Sequence, residues 1–114
     1  MNQVKEISPT TAYELASNEE AILIDVREQN ELYESKIENA IHIPISLFDS
    51  SLIPQEKNKK IVFLCAVGIR SHQVSEYLIS QGIVEEAYNL TGGISAWIQA
   101  GLPIQKNYEI TQSR

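Results

Sequence analysis

With 114 residues and 43% apolar composition, the chain is one domain's worth of sequence, enough for a single core and too short for a second. A formal charge of −6 excludes nucleic acid and anionic lipid as natural partners, because both repel a negative surface. One cysteine and two histidines build neither an internal disulfide nor a thiolate-rich zinc site, so no metal and no cofactor are expected. In chain order, the opening MNQVKEISPT has no apolar stretch, and no later run nears the roughly 20 apolar residues of a bilayer span. No membrane association and a reduced, cytoplasmic setting follow as expectations.

Short β-type runs then alternate with helical patterns, which predicts an α/β fold with a mainly parallel sheet covered by helices. Val4 to Ile7 reads as a first strand. Ser8-Pro9 reads as a helix N-cap followed by proline at the first helical position, and Ala12, Leu15 and Ala16 give that helix its apolar stripe. Ala21 to Asp25 is the apolar run of a strand covered on both faces. Residues 28–36 read as a polar helix with Leu32 and Tyr33 turned inward. Residues 40–44 form a further strand, ended or placed at an edge by Pro44. Residues 46–60 carry no regular pattern, and the lysines at 57, 59 and 60 suit a solvated loop.

The most apolar stretch, residues 61–65, is expected to be the central strand. A helix over 71–81 follows, with Val74, Tyr77 and Leu78 on its inner stripe and Gly82 as a left-handed C-cap. Ala87 to Leu90 is the last strand. Thr91-Gly92-Gly93 is a tight turn into a helix bearing Ile94, Trp97 and Ile98, closed by Gly101 and Pro103, with Trp97 in the core. The domain is therefore set at residues 4–104, followed by a polar tail over 105–114. No internal repeat or linker interrupts it.

Ligands of open α/β sheets bind beyond the carboxyl ends of the strands. Two strands bring chemistry to that edge, one ending in Asp25 with Arg27 beyond it, the other in Cys65. After Cys65 come Ala66, Val67, Gly68, Ile69, Arg70 and Ser71, and then a helix. A strand turning sharply into a helix aims backbone N–H groups into the turn, Gly68 permits a conformation that a Cβ forbids, and the helix N-terminus adds positive character. The loop is thus a cradle for an anion, be it a thiolate, a bound oxyanion or a persulfide. Helix N-termini and arginine both lower the pKa of a thiol, which is about 8.5 when free. The bland alternative for Cys65 is a small buried hydrophobe. His72, in the first turn of the helix, reads as a packed or solvated histidine, with general base as the sharper alternative.

The loop CAVGIRS resembles the active-site loop of rhodanese-like domains: Cys, Gly at the fourth position, Arg at the sixth, then Ser or Thr. Asp25-Val26-Arg27-Glu28 with Glu31 and Tyr33 is similar to that family's DVR-E-x-x-E-[FY] segment. Asn39 to Pro44 resembles its G-A-x-N-I-P strand, and Leu90 to Gly93 with Ala96-Trp97 and Gly101-Leu102-Pro103 resembles its L-x-G-G-x-x-A-W…G-[LY]-P ending. The resemblance implies a three-layer fold with roughly five strands and helices on both faces. It also implies a sulfurtransferase carrying sulfane sulfur as a persulfide on Cys65, with the amides of Ala66 to Arg70 as cradle. Asp25, Arg27 and Ser71 would support the loop, and Arg70 either steers an anionic donor or is tied to a carboxylate such as Asp25. The implied partners are a small sulfur donor (thiosulfate, polysulfide or persulfide) and a thiol or cyanide-like acceptor, with a protein sulfur carrier as a further possibility.

The chain departs from the family pattern at Ser35-Lys36-Ile37, where G-H-I is frequent, at Asn39-Ala40, and at Ala66, where a polar residue is frequent. The last departure makes the cradle's entrance apolar and argues against thiosulfate as the natural donor. Two other functions compete. Cysteine phosphatases and arsenate reductases use a similar cradle, but with C-x5-R, one residue longer than Cys65 to Arg70. A non-catalytic module that binds a partner protein would have no need of a cradled thiolate.

Overall fold

The computed structural model describes residues 3–106. Strands β1 (Val4–Ile7), β2 (Ala21–Asp25), β3 (Ile41–His42), β4 (Lys60–Leu64) and β5 (Ala87–Leu90) form one sheet in the order β1-β5-β4-β2-β3, with every pairing parallel. The helices are α1 (Pro9–Ser17), α2 (Ile69–Ser80) and α3 (Gly93–Gln99). The expected α/β architecture and its central strand are both present.

Alternation along the strands sorts the core into two layers. Leu23, Val62, Leu64 and Leu90 meet Ala12, Ile94 and Trp97 from α1 and α3 on one face. Ile24 and Phe63 meet Leu78 of α2 on the other, and Cys65, next in phase after Phe63, falls on that side. Ser8 caps α1 by accepting the Thr11 N–H, as its sequence predicts.

After β2 the chain moves to β3, while after β4 it moves to β5 on the opposite side. The connections part between the ends of β2 and β4, which opens a crevice there. Asp25 pairs with Leu64 in register, and the Val26 N–H donates to Leu64 O at 2.9 Å, so Cys65 emerges into that crevice.

Several local expectations are corrected. The polar helix over 28–36 is a five-residue 3-10 turn, Gln29–Tyr33, whose tighter winding leaves Tyr33 58% exposed rather than turned inward. Tyr77 is 60% exposed, because the buried face of α2 is made by Ser71, Ser75 and Leu78. Polar residues at the centre of that face hid it from a reading based on apolar periodicity. Ile98 of α3 is exposed, while its neighbours Ile94 and Trp97 are buried, because the short helix turns only one narrow face to the sheet. The strand expected at 40–44 shrinks to Ile41–His42 on the sheet edge, and the 46–60 segment contains a short 3-10 turn, Ser50–Leu52, and the buried Ile53. Gln105, assigned to the tail, exchanges backbone hydrogen bonds of 2.9 and 2.7 Å with Lys36. Residues 107–114 of that tail lie outside the described residues.

Candidate active site

Gly68 is the N-cap of α2 with φ +98°, and it carries no side chain to accept the free N–H groups of the first turn. The Cys65 sulfur takes that place. Sγ accepts from the Gly68 N–H at 3.2 Å and from the Ser71 N–H at 3.3 Å, with the Ser71 hydroxyl also at 3.3 Å. The side chain just after β4 therefore caps the helix that follows it.

The loop's carbonyls are tied back, and this aims its amides. In a trans peptide the N–H points opposite to the C=O. Cys65 O accepts from the Ile94 N–H at 2.9 Å and Ala66 O from the Ser95 N–H at 3.1 Å, both from the start of α3. Gly68 O accepts from Asn89 Nδ2 at 3.0 Å. The amides of Ala66, Val67 and Ile69 are thereby turned away from α3 and Asn89, and that of Val67 acts on the Cys65 sulfur. Gly93 makes the approach of α3 possible, since a Cβ there would fall on the Cys65 and Ala66 carbonyl oxygens.

Electrostatics follow from these contacts. Cys65 is 1% exposed, and burial pushes its thiol up. The Ser71 hydroxyl and the N–H groups of Ser71, Gly68 and Val67 outweigh that effect and hold the pKa below the ordinary thiol value. Arg70 forms a bidentate pair with Glu31, both contacts 2.8 Å. The pair lowers Glu31 to about 2, chiefly through the Arg70 hydrogen bonds, and raises Arg70. Val67 and Ile69 expose 56% and 64% of their surface at the rim.

Asp25 and Arg27 are both buried and bind each other, with Arg27 Nη2 at 2.9 Å from Asp25 Oδ2. Arg27 also donates to Ser35 O at 2.9 Å and Glu31 O at 3.3 Å. These bonds hold the Gln29–Tyr33 turn, whose Glu31 in turn holds Arg70. The carboxylate tied to Arg70 is Glu31, not Asp25.

The sequence-predicted residues Cys65, Ala66, Val67, Gly68, Ile69, Arg70 and Ser71 come together in one loop and first helical turn. Asn89, Gly93 and Glu31 were missed as parts of it. Asn89 had a signal: a polar residue inside the apolar strand AYNL must find partners when buried. Among the described residues, no group of three or more His, Cys, Asp or Glu side chains could hold a metal ion, and no helix is long and apolar enough to cross a membrane.

Comparison with known proteins bears on the family. The family model for the rhodanese-like domain matches residues 8–100. The thiosulfate sulfurtransferase GlpE of Glaesserella parasuis is 30% identical over 90% of this chain and 94% of its own length. A sulfurtransferase of Allochromatium vinosum is 36% identical over 89% of this chain and 94% of its own. The crystal structure of a rhodanese-related protein from Thermoplasma volcanium superposes with a TM-score of 0.73 at 35% identity, covering 89% of this chain and 97% of that one. By sequence and by fold, the chain belongs to the rhodanese-like domain family.

Proposed function

We propose that this protein is a sulfurtransferase that holds sulfane sulfur as a persulfide on Cys65 and passes it to a nucleophilic acceptor. The observation that carries the reading is the set of donors on Sγ, two backbone N–H groups and a hydroxyl, at 3.2–3.3 Å. They favour a thiolate, and the thiolate is the nucleophile. The names of the relatives support sulfur transfer in general.

In the first half-reaction the thiolate attacks the outer sulfur of the donor. The donor's S–S bond breaks, and the leaving group departs with the electron pair as sulfite or a thiolate. The new Cys65 persulfide carries its charge on the outer sulfur, where the amides of Ala66 to Arg70 stabilise it. An acceptor thiol, cyanide or the thiol of a protein carrier then attacks that sulfur, and the Cys65 thiolate leaves. Asp25, Arg27 and Ser71 act as supports. A phosphatase is less favoured, because the six residues from Cys65 to Arg70 are one short of the loop that encircles a tetrahedral phosphate.

Persulfide-type donors are favoured over thiosulfate. The dianion must approach an electron-rich sulfur, while the loop's one cation is paired with Glu31 and the rim is apolar. The test is transfer to cyanide from a thiosulfate donor and from a persulfide donor. Cys65→Ser is expected to abolish both, and undiminished turnover in that variant refutes the assignment.

A further inference from the structure

The Ser71 hydroxyl has one hydrogen and two claimants. Its oxygen lies 2.5 Å from Asn89 Oδ1 and 3.3 Å from Cys65 Sγ, and a hydroxyl donates only once. Asn89 is not free to turn. Its Nδ2 directs one hydrogen to Gly68 O at 3.0 Å and the other to the Glu6 carboxylate, at 3.2 and 3.1 Å from the two oxygens. Flipping the amide would set Oδ1 against a carbonyl and a carboxylate. Oδ1 therefore faces Ser71 as an acceptor.

Glu6 is fixed in its turn by Thr91 Oγ1 at 2.8 Å and His72 Nδ1 at 2.9 Å. A continuous polar chain thus runs from the sulfur through Ser71 and Asn89 to Glu6 and His72 at the surface. With Cys65 as a thiol, the S–H is free to donate to Ser71 Oγ while the hydroxyl donates to Asn89. A thiolate has no hydrogen to give and needs donors. We propose that the Ser71 hydroxyl swings from Asn89 Oδ1 to Cys65 Sγ when the thiol loses its proton to solvent, and that Asn89 is the positioning residue that competes for it. In this arrangement the hydroxyl's help to the thiolate is discounted by the hydrogen bond it gives up. Resting on the persulfide reading above, the same competition favours the loaded state: the charge moves to the outer sulfur, and the hydroxyl returns to Asn89.

A double-mutant cycle on the thiol pKa of the free protein tests this, and it stands apart from whether sulfur is transferred. The pKa is read from the pH dependence of alkylation by iodoacetamide, which reports one site because Cys65 is the only cysteine. Ser71→Ala is made in the wild type and in Asn89→Ala, with the near-isosteric Asn89→Leu as the second background should the first fail to fold. Loosening of Gly68 on loss of Asn89 affects both members of each pair and cancels. The charged groups around the cradle also stay the same within each pair: Arg70 on α2, Glu31 and Glu28 beside it, Asp25 and Arg27 at the end of β2, and Glu6 with His72.

Ser71→Ala is expected to lower the thiolate fraction in both backgrounds, and about threefold to tenfold more strongly when Asn89 is gone, the worth of one hydrogen bond. Equal effects in the two backgrounds would show that Asn89 acts only through Gly68 and overturn the proposal. A smaller effect without Asn89, or none in either background, would overturn it as well.

Discussion

At the scale of single residues, the site rests on one sulfur and the atoms aimed at it. The pKa of Cys65 is held down without a free cation, because Arg70 is committed to Glu31. That division has a consequence at Ala66. An arginine placed there would offer a dianionic donor the charge that Arg70 withholds. Ala66→Arg is expected to raise kcat/KM for thiosulfate about tenfold, the equivalent of roughly 1.4 kcal/mol, mainly by lowering KM, and to leave a persulfide donor little changed. Steady-state kinetics on both donors check this; a wild type that already prefers thiosulfate, or an arginine without effect, contradicts it. The cysteine, the glycine and the arginine stood out in the sequence because each residue type points to a chemistry of its own. Arg70's partner was not, since a sequence does not say which of several nearby carboxylates a long side chain will reach.

At the scale of elements, the cradle depends on how α2 and α3 meet the end of β4. The two glycines that allow this should fail differently. At Gly68, with φ +98°, a Cβ would lie 3.2 Å from Gly92 N, a tight but limited conflict. Gly68→Ala is expected to cost on the order of 1 kcal/mol, leave the fold intact and lower activity by misdirecting its N–H. At Gly93, with φ +63°, the Cβ would overlap two loop carbonyls, so α3 has to withdraw and release the Cys65 and Ala66 carbonyls. Gly93→Ala is expected to destabilise the protein by at least about 2 kcal/mol and abolish transfer. Urea denaturation and activity of the two variants separate the cases, and a Gly93→Ala protein as stable as the wild type would contradict this account. From the sequence, Gly93 reads only as part of a turn, because its neighbours in space come from a strand end nearly thirty residues away. The buried face of α2 was illegible for another reason: two of its inward residues are serines, which carry no hydrophobic signal.

At the scale of the whole molecule, alternating apolar runs and helical stripes were enough to give a parallel sheet with β4 at its centre, since burial on both faces demands that composition. The strand order was not legible from those patterns, which say that strands pair but not with which neighbour. It matters because it puts the reversal of connections between β2 and β4, and so brings the Arg27-held turn across to the Cys65 loop. What the fold assembles there is a sulfur in a ring of donors, and we propose that this sulfur carries a second one. The most direct test is the mass of the intact protein after incubation with a persulfide donor and removal of the excess. The account predicts a gain of one sulfur atom, absent in Cys65→Ser and discharged by cyanide; a wild type that gains nothing, or a Cys65→Ser variant that gains the same mass, would contradict it.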